Sequence, residues 1–471
     1  MKYLGRTGFK WSAALGLGLV SATALAAGQP QPAPAAAPQP AASPAATPAP
    51  VPTATPSASA TPSASATDLA PPVIAPQLPL DEPVMAWTVA DAQQLLGVIK
   101  GLDAEGLFPA DYEPKALAAA IAAGPGPALD AQASKVFAWV VEDVRDGRTR
   151  MDARVQWFVV DPDVEANPTH EVMARALATG DIAGEIAKLA PSHADYGALK
   201  AMLARTPVAN KAGRSLIRAN MDRWRWLQRD LGKYYLLTNV PEFQLRLTVN
   251  NEVIRSYRTV VGKPGKTATP QLAEMVENVV FNPTWTVPQS IVVGEGLGPA
   301  LLANPARAAR ENYKVTKAKD GTIYVVQQPG DGNSLGRMKI DMPNEHAIYL
   351  HDTPSKSLFN TPVRAYSHGC IRTERAVELG MTMAILAAGK TPQEVTDIFL
   401  SKQYTKVPMT TQFPVYLTYF TMATDINGKM GTFRDIYGRD APVIASLAAP
   451  RKPWDGKRKT TEQVIKLDNP L

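Results

Sequence analysis

From Gln29 to Pro83 the chain is built almost entirely of Ala, Pro, Ser and Thr, and no lysine or arginine stands between Lys10 and Lys100. Such a stretch has almost no large apolar side chain to bury, so it cannot offset the entropy of ordering and reads as an extended, disordered tether over residues 28–83. Any folded core is therefore confined to the residues from about Val84 onward, a length sufficient for two or three domains. Ahead of the tether, MKYLGRTGFK places Lys2, Arg6 and Lys10 before the apolar run WSAALGLGLVSATALA, which reaches the small-residue triplet Ala24-Leu25-Ala26. This is the layout of a secretory signal peptide, assigned to residues 1–27. The apolar run is shorter than the roughly 20 residues that span a bilayer, so cleavage near Ala26 or Ala27 is expected, and a membrane tether only if the helix stays uncleaved.

Export changes how the rest is read. The chain has 471 residues, a formal charge of +6 and one cysteine, Cys370. No Lys/Arg run interleaved with aromatics accompanies the basic balance, so nucleic acid is not an expected partner; an anionic polymer of the cell envelope fits better. In an oxidising compartment a lone thiol cannot pair within its own chain, which leaves an inert core cysteine, an intermolecular bridge or a nucleophile.

Thr88 with Asp91 opens an apolar-periodic helix, and further helical segments ending at Gly124, Gly147 and Gly180 predict a helical domain over residues 84–205. A basic helix, GRSLIRANMDRWRWLQRDLG, spans much of a connecting segment, residues 206–232; Ile217, Met221, Trp224 and Leu227 form its apolar stripe, with Arg218, Arg223, Arg225 and Arg229 mostly off it. The period then shifts to two. YYLLTNV, FQLRLTV and EVIRSYRTVVG read as strands, the last two joined by an Asn250-Asn251 turn, and ENVVFNPTWTVP, GTIYVVQQP, RMKIDM and HAIYLHD follow. The expected fold class is α+β. A mostly β domain spans 233–437, a Gly-rich then basic excursion over about 290–335 leaves its sheet, a helix lies just past Cys370, and residues 438–471 form a C-terminal tail. Nucleotide-binding glycine motifs and the hydrolase G-x-S-x-G are absent.

The chemistry concentrates at AYSHGCIR, residues 365–372. A thiol of ordinary pKa near 8.5 is only a few per cent thiolate at neutral pH and needs a base. Of the five histidines, His346, His351 and His368 lie near Cys370 in sequence. His368 shares a face with Cys370 if the segment is extended; His351 ends an apolar strand and can point into a cleft. Spacing does not choose between them. Gly369 permits a tight turn, and the Gly369 and Cys370 N–H groups could form an oxyanion hole at the start of the following helix. A metal held by His346, His351, His368 and Cys370 is the rival chemistry, disfavoured because no C-x-x-C or H-E-x-x-H accompanies them; no metal and no cofactor are expected. An inert core cysteine is the ordinary fate of a free thiol, but the polar neighbours Ser367, His368 and Arg372 argue against it here.

HAIYLHDTPSKSLFNTPVRAYSHGCIR resembles the catalytic signature of the L,D-transpeptidase (YkuD-type) family: a histidine, a loop, then Ser-His-Gly-Cys and an arginine two residues on. NVPEFQLRL, VVGKPGKTATP, NPTWTVP, LGRMKIDMPNEHAIYLHDTPSK and FRDIYGRD resemble its large multi-domain periplasmic branch across about residues 214–440, and GLDAEGLFPADY and VVEDVRDGR that branch's helical scaffold domain. The resemblance implies Cys370 as nucleophile and His351 as its base, with His368 and Tyr349 lining the site. It also implies backbone donors at Gly369 and Cys370, Arg372 as anchor of the loop or of a substrate carboxylate, Ser367 within the signature, the excursion as a cap, and Trp285 beside the cleft. The partners it implies are peptidoglycan stem peptides, a tetrapeptide donor and a diaminopimelate acceptor, joined through a thioester as 3-3 cross-links in the periplasm, with carbapenems acylating the same sulfur. Amino-acid exchange, protein attachment, stem hydrolysis and non-catalytic wall binding are the other uses such a chain could have. One departure stands out: the peptidoglycan-binding-like module that the branch inserts before the arginine-rich helix is missing, and AMLARTPVANKAGRSLIRANMDRWRWL runs straight on.

Overall fold

The computed structural model describes residues 83–452 and 464–467. The segment read as a signal peptide and all but the last residue of the one read as a tether lie outside the described residues.

Seven helices build the N-terminal part: α1 (Val89–Gly101), α2 (Pro114–Ala123), α3 (Pro127–Arg145), α4 (Asp163–Ala166), α5 (Thr169–Thr179), α6 (Ile182–Ala187) and α7 (Ala194–Arg205). The Thr88 side chain accepts from the Asp91 N–H, as the sequence predicts, and Gly124 and Gly180 terminate α2 and α5 with positive φ. A core of Leu95, Phe137, Val141, Val172 and Met173 closes this unit.

Only residues 206–210 separate α7 from α8 (Lys211–Trp224), so no module is inserted there. α8 is shorter than the segment whose periodicity predicted it, and its arginines are not surface groups. Arg223 and Arg225 are each 1% exposed. Arg225 turns inward at the helix end to reach the Asp222 carboxylate, the Tyr196 hydroxyl and the Glu105 carbonyl, and Arg223 bonds Asp440 and the Arg439 carbonyl. Buried guanidinium groups are tolerated where each is paired and hydrogen-bonded in this way.

The sheet begins with β1 (Tyr234–Asn239), β2 (Gln244–Val249) and β3 (Glu252–Gly262). Asn250 and Asn251, both with positive φ, make the turn between β2 and β3, which suits the twist of an antiparallel pair. β4 (Ala273–Met275) and β5 (Asn278–Phe281) follow. The chain then leaves the sheet through β6 (Trp285–Thr286), α9 (Gln289–Val292), α10 (Leu297–Ala303), α11 (Pro305–Arg310), β7 (Tyr313–Lys317) and β8 (Ile323–Gln327), a three-stranded cap in the order β6-β8-β7 with its own small core around Val292, Leu301 and Val325. It returns as β9 (Met338–Asp341), β10 (Leu350–His351), β11 (Ala365–Ser367) and β12 (Ile371–Thr373). α12 (Ala376–Ala387), α13 (Pro392–Leu400), β13 (Thr405–Pro408), β14 (Pro414–Thr418), the hairpin β15 (Met422–Thr424) with β16 (Met430–Thr432), and α14 (Asp440–Ala448) complete the chain. The main sheet runs β13-β5-β9-β10-β12-β3-β2-β1-β14-β4, with β11 beside β3. α12 and α13 cover one face through Leu379, Met383 and Val395. The α+β expectation stands.

A second core ties the two parts together: Trp157, Tyr196 and Leu199 from the helical side meet Trp226, Tyr235 and Tyr416, and Trp157 sits edge-on to Trp226 at 5.0 Å. The presumed tail contributes to it, since α14 inserts Val443 and Leu447. Arg451 then bonds Asp143 and Glu142 on α3.

Candidate active site

Strand register decides which side chains meet. β10 pairs with β12 in parallel, Leu350 against Ile371 and His351 against Arg372, and with β9 antiparallel, His351 against Lys339. Paired residues share a face and alternate residues along a strand do too. Leu350 and Ile371 therefore point into the core, where both are fully buried, while Lys339, His351 and Arg372 form a row across the other face. Tyr349 and Cys370 immediately precede β10 and β12, and the Ile371 N–H bonds the Tyr349 carbonyl at 3.0 Å. Tyr349 joins this group by contact: its hydroxyl bonds the Cys370 sulfur, and its ring centroid lies 5.6 Å from that of His351.

Cys370 occupies the bend just before β12 and is half-buried. Its thiol lies 3.5 Å from the Ala347 carbonyl. The protein around the sulfur pushes the thiol pKa up through desolvation, and this outweighs the Tyr349 N–H and hydroxyl that bond the sulfur and the Lys339 and Arg372 charges, all of which favour thiolate. His351 is 5% exposed, and its Nδ1 lies 2.5 Å from the Asp352 carbonyl, an acceptor that requires Nδ1 to carry the proton. Nε2 is then the lone-pair nitrogen. Burial first, then the Arg372 and Lys339 charges, push His351 down to about 3, so the ring is neutral at pH 7. The pair at rest is neutral thiol and neutral imidazole, and the imidazole is free to act as a base when the sulfur attacks.

Tyr349 and Trp285 are not simply core. The Tyr349 hydroxyl bonds both the Cys370 sulfur and the Trp285 side chain, and desolvation leads in holding its pKa above the usual phenol range. Trp285 opens the cap at β6, which places the start of the cap a few residues before the 290 expected. Lys339 lies over the Tyr349 ring, 4.4 Å from its centroid, and pairs with Asp341 at 2.8 Å. Trp285, Tyr349, Lys339, Asp341, Tyr404 and Lys406 line a cavity of about 240 Å³ between cap and sheet.

The rest of the signature is mostly support. Ser367 Oγ donates to the Cys370 carbonyl at 2.6 Å and accepts from the Gly369 N–H at 3.2 Å. The Gly369 N–H is therefore already engaged, which corrects its expected place in an oxyanion hole. The Cys370 N–H opens no helix either, because β12 intervenes before α12. Gly369 has φ +123, and a Cβ there would meet Ile348 Cδ1 at 3.0 Å. Its carbonyl accepts from Thr269 Oγ1 at 2.7 Å, Thr269 Oγ1 accepts from the Gly262 N–H, and the Tyr437 hydroxyl donates to the Gly262 carbonyl at 2.6 Å. VVGKPGKTATP and FRDIYGRD thus brace the Cys370 loop.

His368 does not face the sulfur's neighbours on β10, because residues 368–370 bend rather than extend. It is half-exposed and pairs with Glu295 of the cap, Nε2 to Oε1 at 2.9 Å. His346 lies against Phe158, with ring centroids 4.2 Å apart and planes tilted by 38°. The residues weighed as metal ligands thus point to different neighbours, and no cluster of three or more His, Cys, Asp or Glu able to hold a metal exists among the described residues. Arg372 is half-buried, and its buried Nε has no partner among the described residues. Sequence reasoning missed Lys339, Glu295 and the Ala347 and Asp352 carbonyls. Only Lys339 had a signal, a charged residue inside the strand RMKIDM.

A model of the L,D-transpeptidase catalytic domain (YkuD) matches residues 233–382. The chain carries a YkuD-type L,D-transpeptidase catalytic domain. A scaffold-domain model matches residues 82–203, in front of it. A putative L,D-transpeptidase of Haemophilus influenzae is 31% identical over 223 residues, covering 44% of this chain and 45% of that protein, so the chain spans less than half the length of this curated relative. Among solved structures, an L,D-transpeptidase from Mycobacterium smegmatis is 14% identical, covering 40% of this chain and 59% of that one, with a TM-score of 0.21. The catalytic domain of the Enterococcus faecium L,D-transpeptidase is likewise 14% identical over 40% of this chain and 98% of its own, with a TM-score of 0.19.

Proposed function

We propose that this chain is a periplasmic peptidoglycan L,D-transpeptidase that forms 3-3 cross-links through a Cys370 thioester. The observation that carries the reading is Tyr349 bonded to the Cys370 sulfur and packed against His351, with a neutral His351 whose Nδ1 is bound to the Asp352 carbonyl.

In the first half-reaction the sulfur attacks the carbonyl carbon of diaminopimelate in a donor tetrapeptide while its proton passes to His351 Nε2. The C–N bond to the terminal D-alanine then breaks, and the imidazolium returns the proton to the departing amine. The Tyr349 N–H and hydroxyl stabilise charge on sulfur before the C–S bond is complete, and Arg372 suits the substrate carboxylate. In the second half-reaction the side-chain amine of another stem's diaminopimelate attacks the thioester. His351 takes the amine proton, the C–S bond breaks, and the thiol is restored. An amine displaces a thiolate readily. No cofactor enters either step. Carbapenems are expected to acylate the same sulfur.

Purified protein incubated with tetrapeptide muropeptides tests the proposal. The expected product is a dimer whose mass corresponds to two tetrapeptides less one alanine; monomeric tripeptide or an exchanged terminal residue would assign the acyl-enzyme to hydrolysis or exchange, and dimer formation by Cys370→Ala would remove the thioester.

A further inference from the structure

A trench runs along the junction of the scaffold and catalytic domains. Two cavities of about 520 and 230 Å³ share His193, Trp224 and Asn251, and they combine the N-terminus of α7 with α8, β1–β3 and the β15–β16 hairpin. The larger lies in the range of about 300–1,000 Å³ typical of ligand clefts, and domain junctions are where such clefts concentrate. None of its lining residues belongs to the Cys370 site.

Three features specify what the trench can hold. Its charges balance: Asp195, Asp230 and Asp425 stand against Arg229, Arg246 and Arg255. A balanced lining gives no net attraction to a polyanion or polycation, and it offers paired donors and acceptors to a neutral, polyhydroxylated ligand. The cavity beside Tyr349 differs, with Lys339 and Lys406 against Asp341 alone. At the shared centre, Trp224 is stacked on His193 at 4.1 Å and 15° and on Phe420 at 4.4 Å and 16°. Trp224 lines both cavities, and its buried Nε1–H has no acceptor among the described residues. A buried donor without a partner costs free energy that a ligand carbonyl or hydroxyl would recover. Finally, Val253, Ile254 and Ile426 remain exposed along the larger cavity. They offer apolar contact for the C–H face of a sugar or an acetamido methyl.

We infer that the trench is a second binding site, for a neutral N-acetylated oligosaccharide. It would hold a glycan chain at the domain junction while the stem peptide is processed elsewhere, and it requires nothing of the chemistry at Cys370.

Titration calorimetry of the full chain with chitotetraose, the β-1,4-linked tetramer of N-acetylglucosamine, tests this. Val253→Arg obstructs the trench from an exposed strand position, and Asn251→Gly removes a lining side chain at a positive-φ site that glycine accepts. The expected result is saturable binding by the wild type, weakened at least about tenfold in each variant with an unchanged unfolding midpoint. No saturable heat from the wild type, or affinity undiminished in both variants, overturns the proposal. So does a stem tetrapeptide that binds the wild type and is lost in these variants, which would assign the trench to peptide.

Discussion

Tyr349→Phe isolates the group that the geometry makes most responsible for the reactivity of Cys370. The phenol hydroxyl bonds the sulfur, and its removal leaves ring packing and the cation–π contact with Lys339 in place. A hydrogen bond to a charged acceptor contributes about 1.5–3 kcal/mol, and about 1.4 kcal/mol corresponds to one pKa unit. Burial already holds the thiol above its usual value. Losing the donor should raise it by a further one to two units, roughly, and cut the thiolate fraction at pH 7 by about 10- to 100-fold. A more basic thiolate is also a better nucleophile, which recovers roughly half of that loss on a logarithmic scale, so the rate at pH 7 should fall about 3- to 10-fold. The assay is the second-order rate of alkylation by iodoacetamide across pH 6–11, followed by intact mass. An apparent pKa that stays put or falls in Tyr349→Phe would refute the assignment of that hydroxyl to the sulfur.

Further outcomes follow from the same contacts. His351→Ala should abolish acylation while His368→Ala, whose side chain reaches the cap instead, should slow it by only about tenfold or less; stopped-flow acylation in the reverse order would exchange their roles. His351 also predicts a stability signature. Its folded pKa of about 3 lies below the roughly 6.5 of an unfolded histidine, so the contribution is present above pH 6.5 and is lost as pH falls toward 3. Urea unfolding of wild type and His351→Asn at pH 7 and 4.5 should converge by roughly 2–3 kcal/mol on acidification, and parallel pH dependence would contradict the buried neutral ring. Arg225→Met removes a buried guanidinium from Asp222, Tyr196 and the Glu105 carbonyl, and should cost about 3–5 kcal/mol and lower Tm by roughly 5–15 °C without altering acylation at permissive temperature.

Much of this was legible in the sequence because it depends on period and on local turn chemistry. Thr88 with Asp91, the glycines after the helices and the Asn250-Asn251 turn act over a few residues, and each is found where the pattern puts it; the alternation of β2 holds through Leu247 and breaks at a bulge that buries Thr248. α13 and α14 are only 9 residues each, too short for periodicity to define a helix, although Thr391 with Glu394 marks the start of α13. Contacts between distant segments left no local trace. Arg223 and Arg225 look like surface charges until α14 and α7 supply their partners, and Glu295 becomes relevant only once the cap folds back over His368. The stretch AYSHGCIR singled out Cys370, but the proposed base, His351, lies on another strand, where sheet register and not sequence spacing places it.

The central claim is that Cys370 forms a covalent acyl-enzyme. Intact-mass spectrometry of the full chain after incubation with a carbapenem measures it directly: a single stoichiometric adduct that is absent from Cys370→Ala is the predicted result, and an unmodified wild type, or an adduct that persists in Cys370→Ala, would contradict it.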